Sequence, residues 1–233
     1  MTHEDVSIQA RALNHWFGTG EARKQALFDI DLRIARGSFI VMVGPSGSGK
    51  TTLLTLLGCL REIEDGSVTL LGQELRHATT TQNVRLRRRL GFIFQAHNLH
   101  ESLTARQNVL MGLQVKGHLD QAASDKAAIH VLTLLGLSDR LDYLPANLSG
   151  GQKQRVAVGR ALVGNPDVVL ADEPTAALDW ETAAKVVDLL KQLGQARGTT
   201  TLMVTHDNRI LDRADRILTL EDGRLVKDED RRA

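Results

Sequence analysis

The chain has 233 residues, of which 42% are hydrophobic and 24% charged, and its formal net charge at pH 7 is +1. These values are typical of a globular protein with a substantial core, and they argue against a general attraction to nucleic acid or to acidic membrane surfaces. The single cysteine, Cys59, excludes an intrachain disulfide, so we expect a reducing compartment such as the cytoplasm.

The N-terminal part of the chain predicts strands followed by a helix. It begins with a polar stretch, and no apolar run in the chain approaches the ~18 residues that span a bilayer, so we expect neither secretion nor a membrane span. Residues 25–34 alternate between apolar and polar side chains, which indicates a half-buried strand, whereas 38–44 are almost entirely apolar and predict a buried parallel strand. The leucine-rich run from Thr51 predicts a helix. We expect Trp16 and Phe17 to lie in a loop before these strands.

The loop between the buried strand and this helix reads GPSGSGKT and fits the pattern G-x-x-x-x-G-K-S/T. Its members are Gly44, Pro45, Ser46, Gly47, Ser48, Gly49, Lys50 and Thr51, and Thr52 follows them. Glycines allow backbone N–H groups to surround phosphate oxygens, the helix N-terminus adds its positive dipole end, and Lys50 adds a charge. A glycine-rich turn is the alternative, but the strand-to-helix context favours a phosphate site with Thr51 as a Mg²⁺ ligand.

The rest of the chain alternates between short apolar strands and helices. Further strands are predicted at 67–72, 90–95, 167–173, 200–206 and 216–223. Residues 183–193 form an amphipathic crossover helix, and 96–163 are mostly helical without a clear strand. We therefore expect one domain over 1–233, with an α/β core of mainly parallel sheet from 1–95 and 164–233 and an inserted helical subdomain at 96–163.

Two carboxylates follow the strand in VVLADEP. Asp172 supplies the carboxylate that holds magnesium in a phosphate-loop site, and Glu173 is the candidate general base that polarises the attacking water. Adjacent acidic residues at a strand end are otherwise helix-cap or loop residues, but the phosphate loop makes that alternative weaker. The pattern predicts hydrolysis of a nucleotide rather than binding alone.

A second glycine pair stands in NLSGGQKQRVAVGRALVGNP, residues 147–166. Ser149 occupies the expected N-cap, and Gly150 and Gly151 leave the first-turn N–H groups unobstructed, which favours a second anion site. An ordinary capped helix with glycine in its first turn remains the alternative on this stretch alone.

Together these motifs resemble those of ABC-transporter ATPase subunits. GPSGSGKT, Gln95 in GFIFQ, LSGGQ, VVLADEP, AALD and His206 in MVTHD occur in the family's order and cover nearly the whole chain. The resemblance implies a RecA-like P-loop core with an antiparallel β region near the N-terminus, and ATP and Mg²⁺ as ligands. It also implies a head-to-tail dimer, in which Ser149, Gly150, Gly151 and Gln152 contact the γ-phosphate of an ATP held by the other subunit, with Asp179 at the seam.

Other roles come from the same resemblance. Gln95 would contact Mg²⁺ or the attacking water and join the core to the helical subdomain. His206 would contact the γ-phosphate and orient that water. Phe17 matches the position that stacks on adenine, with Trp16 as the alternative.

Residues 89–109 most resemble the branch that serves lipoprotein release, macrolide efflux and DevA-type glycolipid export, with the DevA type nearest. This implies export of a lipid, glycolipid or other hydrophobic substrate through a separate membrane permease on the cytoplasmic face of the inner membrane, with a periplasmic adaptor and an outer-membrane channel. An FtsE-like ATPase that signals through a membrane partner without transport is the alternative. We expect no nucleic-acid partner, because the arginine run at 85–89 lacks interleaved aromatics and indicates a solvated helix face.

Overall fold

The described residues, 6–115 and 120–231, form two β-sheets and six α-helices in this computed structural model. The strands are β1 (Val6–Phe17), β2 (Lys24–Ala35), β3 (Phe39–Val43), β4 (Asp65–Leu70), β5 (Gln73–Glu74), β6 (Leu90–Ile93), β7 (Val168–Asp172), β8 (Thr200–Val204), β9 (Arg216–Glu221) and β10 (Arg224–Asp230). The helices are α1 (Lys50–Leu57), α2 (Thr80–Arg87), α3 (Ala105–Gln114), α4 (Gln121–Leu134), α5 (Gly150–Leu162) and α6 (Trp180–Arg197).

The larger sheet has the order β10-β9-β3-β8-β7-β6, and all of its strands except β10 run parallel. Asp172 at the end of β7 pairs with Val204 at the end of β8, and Met42 of β3 pairs with the same residue. Parallel strands that end at one level bring the residues after them to one edge of the sheet. The segments that follow β3, β6, β7 and β8 therefore meet, and these are the segments that carry the predicted site.

The smaller sheet is antiparallel, with the order β2-β1-β4-β5. Trp16 and Phe17 are the last residues of β1 and pair with Gln25 and Lys24, so the expectation of a loop there is wrong. The strand escaped detection because its pairing shifts register several times and Ala12 adopts a φ of 42°. Such bulges interrupt the apolar and polar alternation by which a strand is recognised in sequence.

The core lies on both faces of the parallel sheet. In β3, Ile40 and Met42 belong to the apolar cluster that includes α1 and the smaller sheet, whereas Phe39 and Val41 belong to the cluster that includes α3, α5 and α6. Burial on both faces explains the continuous apolar sequence of this strand.

Between 96 and 163, the described residues contain three α-helices, α3, α4 and α5, and no strand. Helix α3 packs against both α4 and α5, and Val109 of α3 lies close to Gly159 of α5. No helix within 6–115 and 120–231 is long and apolar enough to cross a membrane.

Candidate functional site

The loop between β3 and α1 follows a path that only glycine permits at two positions. Gly44 has a φ of 149°, and a Cβ atom there would lie 1.9 Å from the carbonyl oxygen of Leu220. Gly49 has a φ of 101°, and its Cβ would lie 2.8 Å from Cδ2 of Leu27. The spacing of the motif therefore reflects close approach of β9 and β2 to the loop as well as phosphate chemistry.

The ammonium group of Lys50 is fixed inside this loop. Its Nζ donates hydrogen bonds to the carbonyl oxygens of Gly44 at 2.8 Å and Pro45 at 2.7 Å, and lies 3.3 Å from Oγ of Ser48. Burial lowers the pKa of Lys50, while the nearby carboxylates of Glu173 and Asp172 raise it. The positive charge of Lys50 is thus held inside the loop by its carbonyl groups and lies near the two carboxylates.

A cavity of about 680 Å³ opens beside the loop. The predicted site residues that line it are Phe17, Ser46, Gly47, Gly49, Lys50, Thr51, Thr52, Gln95, Asp172, Glu173 and His206. Gly44, Pro45 and Ser48 shape the loop without lining the cavity. Its volume suits a ligand of nucleotide size.

One wall of this cavity was not predicted from the sequence. That wall consists of Lys24, Gln25, Ala26 and Phe28 from β2, and Asp222 and Gly223 from the turn after β9. Gly223 donates from its N–H to Ser48 O at 3.0 Å and accepts from Phe28 N at 2.8 Å, which holds the turn against the loop. The Asp-Gly pair predicts a turn, but no sequence pattern shows that the turn touches the phosphate loop.

Thr51 and Asp172 supply oxygen atoms next to Lys50. The Thr51 hydroxyl donates to Oδ2 of Asp172 at 2.7 Å, and the exposed side chain of Gln95 lines the same cavity. Mg²⁺ in nucleotide sites takes one or two protein oxygens and completes its shell with phosphate oxygens and water. This donor set fits Mg²⁺.

Glu173 combines burial with a free oxygen atom. It is 9% exposed, has a φ of 52°, and its N–H donates to Val204 O at 3.0 Å. Oε1 lies 3.3 Å from Nε2 of His206 but accepts no hydrogen bond from the described residues. Burial raises the pKa of Glu173, and His206 opposes that rise. A carboxylate of this kind is suited to accept a proton from water.

Ser149, Gly150, Gly151 and Gln152 are not part of this cavity. Ser149 Oγ accepts from the Gln152 N–H at 3.3 Å, and Gln152 Oε1 accepts from the Ser149 N–H at 2.9 Å, so the two form a capping box at the start of α5. A Cβ atom on Gly151 would lie 3.0 Å from the carbonyl oxygen of Ala177. Within one chain, this glycine therefore allows α5 to approach the segment before α6.

Asp179 is likewise outside the cavity and caps α6. Its carboxylate accepts from the Thr182 N–H at 3.0 Å and from the Thr182 hydroxyl at 2.8 Å. These hydrogen bonds lower the pKa of Asp179. The capping role and a role at a subunit seam are compatible, because the side chain is exposed to solvent.

Of the two candidate aromatics, Phe17 lines the cavity and Trp16 does not. The Phe17 ring is 39% exposed, stands edge-on to His15 at 5.0 Å, and has the Arg61 guanidinium carbon 4.9 Å from its centroid. Trp16 points elsewhere and has the guanidinium of Arg23 4.6 Å from its ring. Adjacent residues of a strand point to opposite faces, which separates the two rings.

Residues 27–176 match the family model described as ABC transporter. The chain is 43% identical over 226 residues to the lipoprotein-releasing system ATP-binding protein LolD of Legionella pneumophila, covering 97% of this chain and 99% of that one. It is 44% identical over 225 residues to the macrolide export ATP-binding/permease protein MacB 1 of Aeromonas hydrophila subsp. hydrophila, covering 96% of this chain but only 34% of that relative. The chain thus spans about a third of the MacB-type protein.

Two solved structures have the same fold as this chain. Both are dimers of the bacterial ABC transporter cassette MJ0796, one of them in a post-hydrolysis state with ADP and Pi. Each superimposes with a TM-score of 0.92, and the match covers 97% of this chain and 99% of the cassette. The sequence identity is 36% for the form with ADP and Pi and 37% for the other structure.

Proposed function

This chain belongs to the ABC transporter family and is an ATPase, and we propose that two copies close around two ATP molecules and drive export through a membrane permease. The observation that carries this proposal is the cavity in which Lys50, the Thr51–Asp172 pair and Glu173 meet at one edge of the parallel sheet. Each of these groups suits one part of phosphoryl transfer to water.

In this proposal the phosphate loop and Lys50 bind and orient the β- and γ-phosphates of ATP. Thr51, Asp172 and Gln95 would hold Mg²⁺, which when bound neutralises charge on the phosphate oxygens. Glu173 accepts a proton from the water whose oxygen forms the new bond to the γ-phosphorus, and the bond to the ADP oxygen breaks. His206 holds Glu173 from one side and orients the water.

The aromatic ring of Phe17 lies at the end of the cavity that β1 and β2 border. We assign it the adenine, because a partly exposed ring offers a face for stacking. The guanidinium of Arg61 now lies against this ring, and we expect it to move aside when adenine stacks there.

In this proposal the second copy completes the ATP site with residues that do not line the cavity of their own chain. Ser149, Gly150 and Gly151 form an exposed or half-exposed helix start whose N–H groups suit an anion. Asp179 stands on the next exposed helix start. A head-to-tail arrangement would place this helix start, the signature face formed by Ser149, Gly150 and Gly151, over the ATP of the partner. The dimeric MJ0796 cassettes support a pairing of two copies.

The coupling to a membrane partner rests on the relatives. LolD is named for lipoprotein release, and MacB combines the ATP-binding part with a permease. We propose by analogy that this chain works on the cytoplasmic face of the inner membrane and exports a lipid, glycolipid or other hydrophobic molecule, together with a periplasmic adaptor and an outer-membrane channel.

Reconstitution in lipid vesicles tests this function. A candidate permease is first sought among the proteins encoded by neighbouring genes. The chain is combined with it, and ATP hydrolysis and the loss of labelled lipid from the vesicles are measured together. Faster hydrolysis with ATP-dependent loss of lipid supports export, and Glu173→Gln in the same complex should abolish both. Faster hydrolysis without any movement of lipid would contradict export and favour a signalling ATPase of the FtsE type.

A further inference from the structure

The loop between β6 and α3 has an unusual backbone at the second and third residues after Gln95. His97 has a φ of 58° and Asn98 a φ of 50°, so two successive residues with side chains are left-handed. This region is sparsely populated by residues other than glycine. Such a conformation persists where surrounding groups stabilise it. Here side chains of α3 and α5 form hydrogen bonds to the loop.

Arg160, in the last turn of α5, contacts both of these residues. Its Nη1 donates to the carbonyl oxygen of Asn98 at 2.5 Å, and its Nη2 donates to that of His97 at 2.7 Å. Burial lowers the pKa of Arg160, but a guanidinium stays charged, so both bonds are charge-assisted. The planar fork of arginine matches two carbonyl groups that a lysine would reach only singly.

Asn108 of α3 fixes the far end of the same loop. Its side chain is fully buried, accepts from the His100 N–H at 2.8 Å, and donates to the carbonyl oxygens of His100 at 3.1 Å and Leu103 at 2.8 Å. The loop is thus attached to α3 and α5 along its length. Gln95 lies between this attached segment and the end of β6.

We propose that Arg160 is a positioning residue for ATP hydrolysis: by holding the backbone of His97 and Asn98, it sets where the side chain of Gln95 lies in the ATP cavity. The inference rests on the proposed role of Gln95. Helix α5 begins next to Ser149 and carries Arg160 eleven residues later, about 16 Å along its axis. One rigid helix therefore offers its start to the ATP of a partner and fixes Gln95 beside the ATP of its own chain.

The chain offers a matched control on the same helix. Arg155 also donates from Nη1 to two loop carbonyls, those of Leu135 at 2.8 Å and Gly136 at 3.2 Å, but that loop carries no residue of the cavity. Arg160→Lys and Arg155→Lys each retain a positive charge and replace a guanidinium that contacts two carbonyl groups. Comparing the two variants distinguishes an effect on the position of the loop after Gln95 from a general loss of stability of α5.

The test measures kcat and KM for MgATP, together with amide hydrogen exchange over residues 95–100. For Arg160→Lys we expect kcat to fall roughly tenfold or more, since a displacement of about 1 Å near the reacting atoms can cost about a hundredfold. KM should stay within about twofold, because Lys50 and the phosphate loop are untouched, and exchange at 95–100 should rise. Arg155→Lys should change none of these three quantities.

An unchanged kcat for Arg160→Lys, or an equal loss in Arg155→Lys, would overturn the proposal. Failure of both Arg160→Lys and Arg160→Gln to fold would make Arg160 a stability residue and overturn it as well. Gln95→Ala separates the inference from its premise. If Gln95→Ala leaves kcat unchanged, the proposed role of Gln95 fails; if it lowers kcat while Arg160→Lys does not, only the role of Arg160 fails.

The double variant Arg160→Lys/Gln95→Ala completes a double-mutant cycle that tests whether Arg160 acts through Gln95. Once Gln95 is absent, its position no longer matters, so Arg160→Lys/Gln95→Ala should have a kcat within about twofold of Gln95→Ala alone. Losses that multiply would show that Arg160 acts through some other group and would contradict the proposal.

Discussion

Oε1 of Glu173 lies 3.3 Å from Nε2 of His206, and the two residues follow neighbouring parallel strands, β7 and β8. The pair forms because Asp172 is in register with Val204, which brings the ends of these strands to the same level. One member is buried and the other is exposed at the cavity. Both residues line the cavity, so a water molecule there can reach the pair, which suits a base that acts on water.

Replacing the buried carboxylate tests its role as a general base. Glu173→Gln keeps the shape of the side chain but cannot accept a proton, so we expect kcat to fall by about 10²- to 10⁴-fold while MgATP still binds. Steady-state hydrolysis and binding of a fluorescent ATP analogue give the two quantities. Glu181→Gln, at an exposed position of α6, is the matched control and should retain wild-type activity. A Glu173→Gln protein with more than a tenth of wild-type kcat would contradict this role.

The raised pKa of Glu173 makes stability depend on pH in a defined direction. The folded chain holds this proton more tightly than a free glutamate with its pKa of 4.5, so the stabilising contribution is complete below 4.5 and is lost as pH rises through the folded pKa. The free energy of unfolding of Glu173→Gln should exceed that of the wild type near pH 8, and the difference should shrink towards pH 4. Urea titrations across this range measure it, and a difference that grows towards acid would contradict the burial argument.

The same pKa governs the acid limb of the rate profile. Burial raises it and His206 lowers it, so the decline of kcat/KM at low pH, which reports groups of the free protein, should begin above 4.5, and His206→Ala should move the decline to still higher pH. A profile of kcat/KM against pH for both proteins checks the shift. An acid limb that moves to lower pH in His206→Ala would show that the histidine does not stabilise the ionised base.

Much of the fold follows from local sequence patterns. The apolar run of β3, the glycine-lysine loop and the carboxylates at the end of β7 could be predicted because each depends on its neighbours in the chain. The position of β1 could not, because register shifts and the left-handed Ala12 disturb its alternation. The wall formed by β2 and Asp222 was missed for a different reason, since contacts between distant segments leave no local pattern.

The Thr51–Asp172 pair predicts a selective effect on magnesium. Asp172→Asn removes the charge of an oxygen ligand but keeps the hydrogen bond with Thr51, so the Mg²⁺ concentration for half-maximal hydrolysis should rise about tenfold or more. Titration of Mg²⁺ at constant ATP measures this. Asp188→Asn, an exposed change on α6, should leave the titration unaltered. An unchanged Mg²⁺ requirement in Asp172→Asn would remove this residue from the metal site.

The two neighbouring aromatics give a test of adenine recognition. Phe17→Leu removes the aromatic face at the cavity, and stacking on a base contributes about 1–3 kcal/mol, so KM for ATP should rise by about fivefold or more with little change in kcat. Trp16→Leu is the control and should leave KM unchanged, since that ring does not line the cavity. A raised KM in Trp16→Leu with an unchanged KM in Phe17→Leu would assign the adenine to Trp16.

If a second copy completes the ATP site, the association state of Glu173→Gln must depend on MgATP. In analytical ultracentrifugation, Glu173→Gln should be a dimer with saturating MgATP and a monomer without it. Glu173→Gln/Ser149→Arg should remain monomeric under both conditions although it still binds ATP, because a bulky cation occupies the signature face. A Glu173→Gln protein that stays monomeric at high concentration with MgATP, or a double variant that dimerises equally well, would contradict the shared site.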